Sequence, residues 1–263
     1  MKGIDFYKYN KIFGLIAGLF AFLVFALTVE PTASYWDCAE YISTSAKLQI
    51  GHPPGAPLFQ MLGAIFSILA FDVSQIAYAV NMMSVFSSAM TIMFLFWSIS
   101  LIGKRLLKTS RFLNFNDAYK IFGASFLGSI SFTFTDSFWF NAVEAEVYAM
   151  ATLILSALFW LGLKWIEDFE KERSEKWLVL ISFVVGLSFG VHFMGLLVIP
   201  AIGMIYFFKK NPSPTFKGFV LANILSVTIL LFIFKLLLPS SLGLFGYLEV
   251  FFVNDLGLPF NSG

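Results

Sequence analysis

The chain alternates long apolar blocks with short polar ones. Apolar runs cover 12–29, 76–102, 119–135, 148–166 and 218–238, each close to the about 20 residues that a helix needs to cross a bilayer. A further block, 177–208, is too long for one crossing and holds Gly186, Gly190 and Gly195 near its middle. It divides into two spans around His192. The run 56–71 is apolar but short. The pattern predicts an all-α fold, a polytopic membrane helix bundle.

The placement of charge decides whether 56–71 crosses. Cytoplasmic loops carry an excess of Lys and Arg. If 56–71 crosses, Lys104, Arg105, Lys108 and Arg111 fall opposite Lys2, Lys8 and Lys11. If it lies at the surface or re-enters, segments 2–11, 104–120, 164–176 and 209–217 all lie inside and hold fifteen of the seventeen basic residues. The second arrangement predicts about seven spans, with the N-terminus inside and the C-terminus outside. The outer side then carries a first loop (30–75), a second loop (136–147) and the tail 239–263. The run from Ile12 to Val29 exceeds the about 7–15 residues of a signal-peptide core and reads as a retained span. Residues 1–263 form one transmembrane domain in this reading. The tail ends without a clear stop, so the chain is expected to be part of a longer protein.

Composition removes several classes of function. Hydrophobic residues make up 59% of the chain and charged ones 13%, against about a quarter charged in soluble domains. Soluble and disordered chains are both excluded. The net charge of +1 and the lack of a basic stripe leave no nucleic-acid partner. The single cysteine, Cys38, forms no internal disulfide, and no Cys/His cluster has zinc-ligand spacing.

The first outer loop holds the densest chemistry. A helix over 36–49 puts Asp37 and Glu40 on one face with Tyr41, Thr44 and Leu48. Two such carboxylates can act as a general base, hold a divalent cation or orient sugar hydroxyls. Their plain alternative is to complement the helix dipole. The stretch His52-Pro53-Pro54-Gly55-Ala56-Pro57 predicts a rigid turn that ends this helix and starts the next. His52 is then within a loop's reach of both acids and can donate to a phosphate or a leaving oxygen. Pro53 and Pro54 are architectural.

The second outer loop adds Asp136, Glu144 and Glu146 with no basic partner. Such acids at a membrane boundary need water, a cation or a ligand. Helical spacing places Glu144 on a face with Tyr148 and lets at most one of Glu144 and Glu146 point into a common site. His192, at the break between two spans, is either part of a site or a staple for the turn. An anionic donor on this side would draw on Lys47, His52, His192, Lys235, a divalent metal or helix N-termini.

Four stretches carry a resemblance: Glu30 to Tyr41, Gly51 to Phe59, Val143 to Tyr148, and Gly190 to Gly195. They resemble the GT-C membrane glycosyltransferases. The order of first span, acidic loop helix, His-Pro-Pro turn, surface helix and second span is that of protein O-mannosyltransferases. The chain is most similar to a polytopic family, formerly a domain of unknown function, that is widespread in bacteria and includes an animal protein O-mannosyltransferase. The resemblance implies a lipid-phosphate-linked sugar donor, an exported protein acceptor offering Ser or Thr, and a membrane-lipid setting. It implies a multi-pass protein of the bacterial inner membrane, with a cytoplasmic N-terminus and a periplasmic active site. Carried over, Asp37 is the catalytic base with Glu40 beside it. His52, Glu144, Glu146, Tyr41, His192 and Lys47 would serve donor or acceptor. A divalent metal stays open.

Two other readings compete. A transporter or flippase would use the spans broken around His192, but it calls for inverted repeats and acids at mid-membrane. A non-catalytic membrane subunit of a larger assembly would tolerate substitution at Asp37 and Glu40.

Overall fold

A computed structural model describes residues 3–53 and 55–262; Lys2 and Pro54 lie outside the described residues. Eleven α-helices follow in chain order among them: α1 (Phe6–Ala26), α2 (Cys38–Lys47), α3 (Pro57–Ile68), α4 (Ile76–Leu106), α5 (Phe115–Thr133), α6 (Asp136–Ala142), α7 (Val147–Asp168), α8 (Lys176–Ser188), α9 (Val198–Lys210), α10 (Phe216–Phe232) and α11 (Leu238–Val250). Two-residue strands β1 (Ile4–Asp5) and β2 (Phe112–Leu113) pair antiparallel. The chain forms two compact units, Met1–Gly195 and Leu196–Gly263.

In the first unit α4 is the axis, and α1, α3, α5 and α7 pack against it. Small residues let these helices approach closely. Gly14 of α1, for example, leaves room for the indole of Trp97, whose Nε1 donates to the Asn10 carbonyl at 3.0 Å. One apolar cluster, with Phe25, Ile92, Phe96 and Phe122, fills the space among α1, α4 and α5. A second, with Cys38, Tyr41, Phe59, Val80, Met83 and Met150, seats α2 and α3 on α4 and α7. Fully burying a side chain such as Phe59 stabilises this seat by roughly 1.5–3 kcal/mol. In the second unit α9 packs against α10.

Among the described residues five helical segments are long and apolar enough to cross a membrane: Phe6–Ala26, Val73–Leu106, Val147–Asp168, Phe193–Lys210 and Phe216–Asp255. The expected span at 119–135 folds as α5, which packs in the bundle but begins with Asn116, Asp117 and Lys120 and so falls short in apolar content. The first half of 177–208 folds as α8, which has only 13 residues. The run 56–71 forms α3, whose 12 residues are also too few to cross. The last segment runs helically past the expected end at 238. A π turn at Ile233–Leu237 lies just before Pro239, which lacks the N–H that this continuous helix would otherwise bond.

Candidate active site

Helix α2 is bounded by two left-handed residues, Trp36 (φ 62°) before it and Leu48 (φ 48°) after it. Leu48 reverses the chain, and the Gln49 N–H closes the turn on the Thr44 carbonyl at 2.8 Å. The returning strand brings His52 alongside the first turn of α2. Its backbone N–H donates to Glu40 Oε1 at 2.6 Å, and its Nδ1 meets Glu40 Oε2 at 3.0 Å. These bonds, the backbone one first, hold the Glu40 carboxyl below its usual range. Gly55, left-handed at φ 72°, closes the His-Pro turn by donating to the His52 carbonyl at 2.8 Å. That conformation suits glycine.

A ring nitrogen facing a carboxylate carries the proton, so neutral His52 is protonated at Nδ1 and leaves Nε2 as an acceptor. Nε2 lies 3.8 Å from Asp37 Oδ2. Asp37 occupies the N-cap position of α2, yet its side chain makes no capping bond. Its carboxylate is not spent on the helix end. Asp37, Glu40 and His52 each offer a ligand atom within 4.8 Å of the others. Because both Glu40 oxygens engage His52, the free donors for a cation are Asp37 and His52 Nε2.

Asp37 also lines a cavity of about 390 Å³ together with Trp36, Phe140, Asn141, Glu144, Glu146 and Tyr148. Glu144 and Glu146 are 2% and 5% exposed. The expectation that only one of them reaches the site is corrected. Residues 143–146 are not helical, since α6 ends at Ala142 and α7 begins at Val147, so helical spacing does not separate them. Ser34 Oγ donates to Glu144 Oε2, while burial raises the Glu144 carboxyl. Burial, then the charges of Asp37 and Glu144, push Glu146 up to about 7. Glu146 Oε1 has no hydrogen-bond partner among the described residues. Tyr41 is buried, with its ring 5.9 Å from His52 and 5.1 Å from Phe59. Burial first, and the acids Glu146, Asp37 and Glu40 next, push its hydroxyl up to about 12, so it stays a neutral donor.

His192 adopts the staple geometry. Its Nδ1 accepts from the Met194 N–H at 3.2 Å, and its own N–H donates to the Ser188 carbonyl at 2.7 Å. Its ring lies 5.5 Å from that of Tyr148, which puts it behind one wall of the cavity. The break around it is fixed to α3: the Leu58 and Phe59 N–H groups donate to the Gly190 carbonyl at 2.8 and 3.2 Å. Lys47 is exposed in the last turn of α2, about 15 Å along the helix from Asp37, and is not among the cavity's lining residues. Lys235 belongs to the second unit.

Sequence reasoning missed Asn81. Fully buried near the start of α4, it donates to the Glu30 and Thr32 carbonyls at 2.7 and 2.9 Å and faces Cys38 Sγ at 3.8 Å. It pins both flanks of the segment that presents Asp37. A lone Asn at the start of an otherwise apolar span was the available signal.

Residues 37–215 match the family of the protein O-mannosyl-transferase TMEM260 N-terminal domain. The chain belongs to this family. The match begins at Asp37 and includes Glu40, His52, Glu144, Glu146 and His192. The chain is 27% identical over 190 residues to protein O-mannosyl-transferase tmem260 of Dictyostelium discoideum, covering 68% of this chain and 21% of that protein. It is 25% identical over 168 residues to protein O-mannosyl-transferase TMEM260 of Mus musculus, covering 63% and 21%. The chain thus spans about a fifth of the length of the curated relatives it matches. No solved structure matches it. The family bears out the resemblance drawn from the Asp37 and His52 stretches, and the chain is an integral membrane protein.

Proposed function

We propose that this chain carries the transfer site of a membrane glycosyltransferase that moves a sugar from a lipid-phosphate donor to a Ser or Thr hydroxyl of an exported protein. The relatives' names point to mannose as the sugar. The observation that carries the reading is the Asp37 carboxylate, free of any capping role, at a cavity shared with two buried acids and beside His52.

In this reading the acceptor hydroxyl attacks the anomeric carbon from the face opposite the phosphate. Asp37 takes the hydroxyl proton as the new C–O bond forms. The bond from the anomeric carbon to the phosphate oxygen breaks, and the lipid phosphate leaves with the electron pair. The sugar is inverted. Glu40 holds the His52 Nδ1–H, and the imidazolium form of His52 donates its Nε2–H to the leaving phosphate. The buried Glu144 and Glu146, the latter pushed up to about 7, bond sugar hydroxyls, and Tyr41 adds a neutral donor. A divalent cation would take the place of the Nε2 proton, held by His52 Nε2 and one Asp37 oxygen, and would polarise the phosphate while the other Asp37 oxygen serves as base. The basic ends of the helices lie inside and the Asp37 site on the outer face, periplasmic in a bacterial inner membrane.

Membranes containing the full chain, given labelled lipid-phosphate mannose and a Ser/Thr peptide, are expected to label the peptide. A folded chain that labels no peptide, with donor and acceptor present, would overturn the reading.

A further inference from the structure

The ends of α1, α4 and α7 away from Asp37 enclose another cavity, of about 470 Å³, whose lining includes Tyr7, Lys104, Arg105, Lys108, Glu167 and Lys171. Asn81 and Lys104 sit near opposite ends of α4, so roughly 35 Å separates this cleft from the transfer site.

Its acids are already satisfied. Glu167 Oε1 accepts from Tyr7 at 3.1 Å and Lys104 at 3.2 Å, and Oε2 accepts from Lys164 at 2.7 Å. Asp168 Oδ1 accepts from Lys171 at 2.7 Å and Oδ2 from the Trp177 indole at 3.1 Å. Arg105 and Lys108 make no ion pair among the described residues. Arg105 lies in the last turn of α4, and Lys108 is left-handed at φ 50° just beyond the cap. The Thr109 N–H closes this turn on the Lys104 carbonyl at 3.2 Å. Arg105 and Lys108 therefore stand beside a floor in which three lysines already face only two acids.

Beside them Leu106 and Leu107 are 76% and 42% exposed. A walled cationic cleft flanked by bare leucines at a membrane boundary matches a lipid with a phosphate head and acyl chains. Basic residues that serve only as topology anchors need the charge but no such walls. We propose that this cleft binds the phosphate-bearing headgroup of an anionic lipid in the leaflet opposite the Asp37 site.

The test uses the full chain in neutral detergent, with thermal unfolding followed against added short-chain phosphatidylglycerol, phosphatidylcholine of the same chain length, or inorganic phosphate. The double variant Arg105→Gln/Lys108→Gln is compared with Lys120→Gln/Lys217→Gln, which removes equal charge elsewhere. Phosphatidylglycerol should raise Tm in the parent and the control at concentrations roughly thirty-fold below phosphatidylcholine, the worth of two cations at a membrane surface. The Arg105/Lys108 variant should lose that preference. Equal responses to the two lipids in the parent, or a preference retained in the Arg105/Lys108 variant, would overturn the proposal. A full shift from inorganic phosphate alone would overturn the lipid as its source.

Discussion

His52 and Glu40 are joined twice, once through the backbone N–H and once through the ring Nδ1, at 2.6 and 3.0 Å. A single carboxylate thus sets both the path of the His-Pro turn and the direction of the imidazole. Glu40→Gln keeps one acceptor oxygen but turns an NH₂ toward Nδ1, which reverses the tautomer that neutral His52 adopts. We expect transfer to fall about ten- to a hundred-fold, as for a displaced positioning group, with the protein still folded. Initial rates of peptide labelling against donor concentration check this; an unchanged rate would remove Glu40 from positioning.

Asn81→Leu should act on stability. It leaves the part-buried Glu30 and Thr32 carbonyls without their donor, at a cost of roughly 1–3 kcal/mol. Thermal unfolding should show the loss, and limited proteolysis should cut the 30–37 segment faster than in the parent.

The sequence made the fold legible where periodic apolar runs are long, as in α1, α4 and α7. The α2–turn–α3 order could also be read from Asp37, Glu40, His52 and the prolines. The tertiary links were not legible. Nothing local shows that Asn81 reaches back to Glu30, or that the Gly190 carbonyl caps α3. The joint approach of Glu144 and Glu146 was missed because the segment was read with a helix period, whereas the chain there bends between α6 and α7. The shortness of α8 was hidden in a continuous apolar block that breaks at Ser188.

Glu146 gives a pH signature. Its carboxyl stays protonated up to about pH 7 in the folded chain, against an ordinary value of 4.5. The folded state therefore holds an extra proton between these values, and its stability falls as pH rises through that window. The contribution is fully present below pH 4.5. Glu146→Gln cannot ionise, so it should exceed the parent in stability above pH 7, by up to roughly 3 kcal/mol, and converge with it below pH 4.5. Tm measured from acid to neutral pH for both proteins checks the sign. A parent that gains stability over Glu146→Gln on going to neutral pH would contradict it.

Gly190→Ala would place a Cβ 2.7 Å from Leu58 Cβ and 3.2 Å from the Leu58 nitrogen. The start of α3 must then move off the Gly190 carbonyl. We expect a loss of about 1–3 kcal/mol and faster amide exchange at Leu58 and Phe59, while the far ends of α4 and α7 keep their protection.

The central claim is that Asp37 is the base of sugar transfer, and its most direct test is made in the host. Asp37→Asn keeps the size of the side chain and removes its capacity to take a proton. With membrane abundance matched to the parent, glycopeptides from exported proteins are compared by mass spectrometry. Loss of a defined Ser/Thr-linked sugar, by a factor of about 10² or more, is the predicted result. An unchanged glycopeptide profile at equal abundance would contradict the account and take Asp37 out of catalysis.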